Sequence, residues 1–222
     1  MHTISKLSKK NLVKGLPKLV YQKDFICVAC VKGKHKKSSF QSKNLISTTR
    51  LLKLLHIDLF GPSNTLSIGG RVYCFVIVDD YSRFTWIFFF NHKSEAFHTF
   101  VSYRKKVQNE KGYTITSIRS DRGGEFSCEP FESYCEEHGI LHIFSTPRTP
   151  QQNGVVERKN RTLPKMARTM LNKNRLPKYF WAEAVNTACY VVNMAHILSI
   201  LKITPYELWK GRLLIIFSCF WV

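Results

Sequence analysis

The sequence predicts an α/β protein in which a mixed five-stranded sheet is flanked by helices and preceded by a small N-terminal appendage. From about Leu51 onward, short apolar runs rich in β-branched and aromatic residues alternate with longer segments whose apolar residues recur at helical spacing. The composition, with 44% hydrophobic and 22% charged residues, is that of a folded domain. The predicted order of elements is βββαβαβαα.

Three strands begin the region, each an apolar run of seven or eight residues. The polar stretch between the second and third strands predicts a hairpin turn, and this role accounts for Asp79, Asp80 and Ser82 without assigning them any chemistry. The three strands are Leu54–Phe60, Arg71–Val78 and Phe84–Phe90.

Helices and strands then alternate to the end of the region. Asn153 is a suitable N-cap for a helix beginning at Gly154, and the apolar stripe of the last helix, which includes Trp181, is typical of core packing rather than of a site. The predicted elements are a helix at 94–110 closed near Gly112, a strand at 113–120, a short helix around Phe131, a strand at 140–144, the Gly154 helix and a last helix at 178–196.

The distribution of charge predicts a nucleic-acid partner. The chain has 34 Lys and Arg residues against 15 Asp and Glu, a formal charge of +19. The excess lies in the flanks: residues 1–50 hold 12 basic residues and one acidic, residues 151–222 hold 11 and three, and residues 51–150 hold 11 of each. A surface made basic only for solubility would not be expected to show this segregation.

Cysteine usage and hydropathy indicate in which cellular compartment the chain is expected and whether it crosses a membrane. Seven scattered cysteines and no apolar leader predict a reducing compartment and no disulfide framework, so the chain is not expected to be secreted. The longest apolar runs, Phe84–Phe90 and Leu213–Val222, are far shorter than the roughly 20 residues that cross a bilayer. No membrane partner is therefore expected.

Three acidic residues, Asp58, Asp121 and Glu157, are the candidate catalytic and metal-binding groups. Asp58 lies inside an apolar strand, where a lone carboxylate is costly to bury without a partner or a metal ion. Asp121 ends a strand before a Gly-Gly pair, and Glu157 lies in the first helical turn after a proline-rich loop. Each alone has an ordinary interpretation as a turn, capping or solvated residue. Together they suit Mg²⁺, which is bound through a few carboxylates and keeps positions open for phosphate oxygens.

Four segments of the sequence resemble the Ty1/copia-type retrotransposon integrases, particularly those of plants. The resemblance extends from about residue 3 to residue 212, and the 35 residues between Asp121 and Glu157 match the D,D-35-E spacing of that family. The four segments are His56–Pro62, Val78–Arg83, Ser120–Phe126 and Thr149–Asn160.

The resemblance implies an RNase H-like fold and an enzyme that joins DNA. Asp58, Asp121 and Glu157 would hold two Mg²⁺ (or Mn²⁺) ions, and a 3′-hydroxyl of the element DNA would attack a target phosphodiester with no covalent enzyme intermediate. The partners it implies are element-end DNA, target DNA and, in the active state, further copies of the chain. The implied location is the nucleus, preceded by a cytoplasmic particle.

Basic residues follow Glu157 with no further acid until Glu183, which predicts a surface that follows DNA phosphates. The candidate DNA-binding residues are Arg158, Lys159 and Arg161. Phosphate contacts fix position without reading sequence, so we expect DNA binding to be salt-sensitive and weakly sequence-selective.

Cys27 and Cys30 form half of a tetrahedral zinc site, which needs four ligands. In the family that the chain resembles, two upstream histidines supply the other half, and His2 and His35 do not match their positions. We therefore expect an incomplete site without bound Zn²⁺. On this interpretation the chain comprises a truncated pre-integrase zinc module at 1–45, the catalytic core at 46–212 and a divergent apolar tail at 213–222.

Two departures from the family pattern leave alternatives to an active enzyme. Pro164 falls within the helix that bears Glu157, where it is expected to cause a kink, and the tail 213–222 differs from the polar continuation usual in the family. With the missing start, these features predict a truncated and decayed copy. The alternatives are an inactive nucleic-acid-binding remnant on the same fold and a zinc-dependent DNA-binding regulator.

Overall fold

A computed structural model of the chain describes residues 13–14, 46–145, 153–198 and 201–215. The described strands are β1 (Val13–Lys14), β2 (Leu54–Phe60), β3 (Tyr73–Asp79), β4 (Thr85–Phe90), β5 (Ser117–Ser120), β6 (Leu141–Phe144) and β7 (Leu214–Ile215). Five of them form one mixed sheet in the order β4-β3-β2-β5-β6. β2, β3 and β4 form an antiparallel meander, and β5 and β6 are added parallel to β2. The predicted five-stranded mixed sheet is confirmed.

The described helices are α1 (Glu95–Lys111), α2 (Glu129–Glu137), α3 (Gly154–Lys173), α4 (Trp181–Ala195) and α5 (Pro205–Lys210). Gly112 closes α1 as predicted, with φ of 67°, a left-handed conformation that glycine adopts without strain. The helix predicted from residue 178 instead begins with a short 3₁₀ turn at Lys178–Phe180 and becomes α-helical at Trp181.

The two faces of the sheet bury different sets of residues because successive side chains of a strand point to opposite sides. One face packs against α1 and α2. The other packs against α3 and α4, and most of the α4 stripe that was predicted to be core is buried there, with Trp181 partly buried against it. Core residues of the first face include Leu55, Ile57, Phe75, Ile77, Phe100 and Phe131, and those of the second include Val76, Val78, Val156, Leu163, Val185 and Ala188.

Helix α3 continues without interruption through Pro164, so the proline does not end the helix. Proline has no amide proton, and the carbonyl of Asn160 therefore lacks its usual helical donor. The helix is held in place by its buried face, which includes Leu163 and Ala167 on either side of Pro164.

Helix α3 starts where the sequence predicts, but the side chain of its N-cap residue makes no capping hydrogen bond. Asn153 stands at the N-cap, and its backbone carbonyl accepts the Glu157 amide at 3.1 Å. Its side chain makes no capping hydrogen bond, and the buried Oδ1 has no partner in the described structure. Asn153 is therefore the N-cap of a helix that begins at Gly154, as predicted, although its side chain makes no capping hydrogen bond.

Helix α5 was not predicted from the sequence. Thr204 and Glu207 form a capping box, in which each side chain bonds the other residue's backbone amide. The helix places Trp209 in the core, 2% exposed, with its ring 4.6 Å from that of Trp86. The segment at 205–210 therefore completes the core beneath β4.

The hairpin between β3 and β4 has the predicted turn, in which the Arg83 amide donates to the Asp79 carbonyl at 2.8 Å. The Asp79 side chain is fully buried: Oδ1 accepts the Leu52 amide at 2.8 Å, and Oδ2 accepts the Ser82 amide and hydroxyl at 2.8 and 2.7 Å. These bonds attach the turn to the segment that precedes β2.

Asp80 extends this network toward the α3 face. It accepts hydrogen bonds from Ser47 and Thr48, pairs with Arg83 at 3.2 Å and lies 3.0 Å from Nε2 of buried His56. Burial acts to raise the pKa of Asp80, but the His56 hydrogen bond and the Arg83 charge hold that pKa well below its usual range. Asp79, Asp80 and Ser82 therefore form the turn, as predicted, and their buried hydrogen bonds also hold it in place against the neighbouring segments.

The flanks of the chain are described only in part. β1 and β7 pair in parallel as a two-stranded sheet, so a segment of the N-terminal flank lies beside a segment of the C-terminal one. Cys27, Cys30 and most of the predicted appendage and apolar tail lie outside the described residues. No helix in the described parts of the chain is long and apolar enough to cross a membrane.

Candidate active site

The three predicted acidic residues come together from three different elements. β2 and β5 are adjacent and parallel, so their carboxyl ends lie at the same edge of the sheet. Asp58 is near the end of β2, and Asp121 directly follows β5. α3 packs against β2 and β3 and has Glu157 in its first turn.

Asp58 is hydrogen-bonded through both carboxylate oxygens and has a raised pKa. Its Oδ1 accepts the Leu59 amide at 2.8 Å, and its Oδ2 accepts Nδ2 of Asn160 at 2.7 Å. Burial, together with the negative charges of Asp121 and Glu157, raises the pKa of Asp58 to about 7 against the opposing effect of the Leu59 amide. Asp121 and Glu157 are therefore each close enough to Asp58 for their charges to act on it.

Asp121 is exposed and is oriented by the turn that follows it. Its Oδ1 accepts the Gly123 amide at 3.1 Å. A Cβ at Gly123 would lie 2.9 Å from the Glu125 carboxylate and 3.1 Å from Asp121 Oδ1. A side chain at position 123 would therefore displace these two carboxylates.

Glu125 is a fourth carboxylate beside the site, and sequence reasoning missed it. Its side chain is about nine-tenths buried, pairs with Lys93 at 3.5 Å and contributes to the raised pKa of Asp58. The segment 120–126 is one of the four that resemble the family, but nothing in the spacing shows that Glu125 folds back over Gly123 toward Asp121.

Asn160 is a second residue that sequence reasoning missed. It lies three positions after Glu157, so both project from the same side of α3. Its amide nitrogen donates to Asp58, whereas its Oδ1 is buried and has no partner within the described structure. The i, i+3 spacing from Glu157 was the available signal.

The carboxylates lie near one another but do not surround a common point at which a metal ion could bind. Among the residues that the structure describes, no three Asp, Glu, His or Cys side chains converge closely enough to hold one ion. Asp58 is turned toward Asn160, and Glu157 lies 3.4 Å from Nη2 of Arg161. The assignment of Asp58, Asp121 and Glu157 as joint metal ligands stays a prediction.

The three candidate DNA-binding residues differ in their surroundings. Arg158 and Arg161 are exposed on the surface of α3. Lys159 is partly buried beside Cys189 of α4, and burial, helped by the charge of Arg83, lowers its pKa to about 8. The structure therefore presents Arg158 and Arg161 to solvent together and directs Lys159 toward α4.

Residues 48–150 match the family model for the integrase core domain. The chain is 38% identical over 186 residues to the Retrovirus-related Pol polyprotein from transposon TNT 1-94 of Nicotiana tabacum. This match covers 84% of this chain and 14% of that polyprotein. It is 34% identical over 167 residues to the Pol polyprotein from transposon RE2 of Arabidopsis thaliana, covering 75% of this chain and 11% of the relative. The chain thus spans a small part of the length of these relatives.

Solved structures show the same fold. The chain is similar to a chain of the simian T-cell lymphotropic virus intasome, with a TM-score of 0.58, 20% identity and coverage of 84% of this chain and 64% of the other. It is also similar to the HTLV-2 integrase catalytic core domain in complex with magnesium, with a TM-score of 0.54, 18% identity and coverage of 72% and 97%. These likenesses confirm the expected RNase H-like fold. The sequence matches show that the chain, through residues 48–150, belongs to the integrase core domain family and has its relatives among the Pol polyproteins of plant Ty1/copia-type retrotransposons.

Proposed function

We propose that this chain is the catalytic core of an enzyme that joins the 3′ ends of retrotransposon DNA to target DNA, with Asp58, Asp121 and Glu157 as its catalytic residues. The observation that supports this most strongly is the approach of these carboxylates from β2, the end of β5 and the first turn of α3, because burial and the charges of Asp121 and Glu157 together raise the pKa of Asp58 to about 7. The repulsion that ionised Asp58 experiences is relieved when a cation binds.

The residues at the site fit divalent metal ions. Its donors are carboxylate oxygens, the ligands that Mg²⁺ prefers, and the unpartnered Oδ1 of Asn160 can accept a hydrogen bond from a water at the site. The solved HTLV-2 core holds magnesium. Bound Mg²⁺ would supply charge stabilisation for the attacking and leaving oxygens of an in-line displacement.

The remaining chemistry is positioning by the chain's own residues. The 3′-hydroxyl oxygen of the element end forms a bond to a target phosphorus, and the target strand leaves with a free 3′-hydroxyl, so the enzyme forms no covalent bond. Asn160 and the Leu59 amide orient Asp58, and the Gly123 amide orients Asp121. Arg158 and Arg161 are placed to contact phosphates.

Three further proposals concern the setting in which the chain acts. Because the chain covers 14% or less of the relatives described above, other regions of such proteins would assist it. The HTLV-2 core has been solved in trimeric and dimeric forms, which supports a homo-oligomer here. We also place the active form in the nucleus, where target DNA is found.

A strand-transfer assay tests the proposed activity. The purified chain should join an oligonucleotide that represents an element end to a target duplex when Mg²⁺ or Mn²⁺ is present, and Asp121→Asn should abolish joining while DNA binding persists, because the shape of the residue is kept and its charge is lost. Glu137→Gln, at the exposed end of α2, is the matched control and should join at the wild-type rate. DNA binding without joining by the wild type in either metal would favour the inactive nucleic-acid-binding alternative.

A further inference from the structure

Ser120 connects Asp121 to the neighbouring strand. It is the last residue of β5 and is fully buried. Its hydroxyl donates to the Asp121 carbonyl at 2.7 Å, and its own carbonyl accepts the Ser145 amide at 2.9 Å. The two backbone carbonyls that flank the Cα of Asp121 are therefore both hydrogen-bonded.

The Ser120 hydroxyl has a second partner, His142 of β6, whose Nε2 lies 2.9 Å from the Ser120 oxygen. A serine hydroxyl has one proton, and the Asp121 carbonyl can only accept, so that proton points to the carbonyl. Nε2 of His142 must then carry the hydrogen and donate to the serine oxygen. The result is a directed chain from His142 through Ser120 to the Asp121 carbonyl.

The His142 ring is held in this orientation by its neighbours. Its centroid lies 4.1 Å from that of Phe144 and 5.4 Å from that of Phe131. Nδ1 is buried and has no partner in the described structure. Burial lowers the pKa of His142 to about 4, so the ring is neutral near pH 7 and the donor role of Nε2 identifies the tautomer with the hydrogen on that nitrogen. An apolar residue would fill this position without leaving a buried nitrogen unpaired.

We propose that His142, acting through Ser120, is a positioning residue that fixes Asp121 for metal binding. The hydrogen-bond chain holds the carbonyl of Asp121, and the Gly123 amide holds its carboxylate, so the direction of the side chain is set at both ends. The inference rests on the proposed function, since it gives the partly buried histidine a purpose only if Asp121 must be held for an ion.

His142→Phe separates positioning from packing, because phenylalanine keeps the ring contacts and removes the donor. Three quantities are measured on the full chain: Mn²⁺ affinity by electron paramagnetic resonance, the unfolding temperature in EDTA, and strand transfer. We expect Mn²⁺ affinity to fall about 10-fold, as is usual when the partner of a metal ligand is removed. We expect the unfolding temperature to stay the same or rise, since no buried nitrogen is left unpaired.

Two further variants keep the test decisive. His142→Gln places an amide donor near the position of Nε2 and should recover most of the Mn²⁺ affinity. Ser120→Ala breaks the same chain, so its effect and that of His142→Phe should not add in the double variant.

The outcomes distinguish this inference from the proposed function. If the wild type binds Mn²⁺, Asp121→Asn abolishes that binding and His142→Phe leaves the affinity unchanged, the inference is wrong and the proposed function stands. A fall in affinity matched by a large fall in unfolding temperature means that His142 is only structural. A wild-type chain that binds no Mn²⁺ overturns both.

Discussion

The charge of Asp58 destabilises the metal-free chain. A carboxylate with an ordinary pKa would ionise at little cost, but this one is desolvated and faces Asp121, Glu157 and Glu125. Its two oxygens are satisfied by the Leu59 amide and the Asn160 side chain, so the cost comes from charge rather than from missing hydrogen bonds. A site kept under such repulsion is suited to bind cations.

This argument predicts the pH dependence of stability without metal. The folded-state pKa of Asp58, about 7, is above its ordinary value of 3.8, so between these values the folded chain takes up a proton that the unfolded chain does not. The stability contribution of Asp58 should therefore improve as pH falls from 8 to 5. Urea unfolding in EDTA should show Asp58→Asn more stable than wild type at pH 8, with the difference shrinking toward pH 5. A difference that stays constant over this range would contradict the raised pKa.

At the residue scale, sequence reasoning identified residues whose environment is unusual. It missed residues whose role depends on where the fold points their side chains. Asp58 was recognisable because a lone acid in an apolar strand needs an explanation. Glu125 and Asn160 lie close to predicted residues in the chain, but only the fold shows that one turns back toward Asp121 and the other reaches Asp58. His56 gave no signal, because its partner Asp80 is contributed by a different strand's turn.

At the element scale, α3 performs two tasks: it carries Glu157 and Asn160 to the site, and it covers the sheet with a buried face. Pro164 lies one turn after Asn160 and deprives its carbonyl of a donor. Because Leu163 and Ala167 are buried, packing holds the helix continuous where local propensity would interrupt it.

Replacing the proline should stabilise the chain. Pro164→Leu restores the amide that can donate to the Asn160 carbonyl and removes a steric cost of roughly 3 kcal/mol or more for proline in a helix interior. For a domain of this size each kcal/mol is worth about 2–4 °C, so calorimetry should show a rise of several degrees. Pro164→Ala should give a rise of similar sign, which separates the restored amide from any packing of leucine. An unchanged or lower melting temperature in both variants would mean that α3 has already relaxed around the proline.

The elements that sequence reasoning placed best were those with long, clear periodicity. β2 and α1 agree with prediction to within one residue at each end, since alternation and helical spacing both identify a buried face. The strand predicted at 113–120 is shorter, beginning at Ser117, because only its last four residues pair with β2 and β6. α5 has six residues, too few for a periodic pattern, and depends on its capping box and the burial of Trp209.

At the scale of the whole molecule, the sheet separates packing from chemistry. The face covered by α1 is lined by aromatic residues and holds none of the three predicted acids, whereas Asp58 lies on the face covered by α3. Net charge is similarly divided, since the central residues 51–150 are balanced and the flanks are basic. DNA should therefore approach from the α3 side, where basic residues border the carboxylates.

The salt dependence of DNA binding tests this path. Arg158 and Arg161 are exposed beside Glu157, whereas Lys159, between them in sequence, is partly buried beside Cys189 and makes a matched control. Removing one arginine that neutralises a phosphate should reduce the slope of log K against log salt concentration by about 0.9, so the double variant Arg158→Gln, Arg161→Gln should lower it by roughly 2. Lys159→Gln should change this slope much less, because a side chain directed toward α4 does not displace counterions from DNA.

Fluorescence anisotropy with a labelled duplex over a range of salt concentrations gives these slopes. Equal effects of Lys159→Gln and either arginine variant would show that Lys159 reaches the DNA, and an unchanged slope in the double variant would move the DNA path to the lysine-rich first 50 residues.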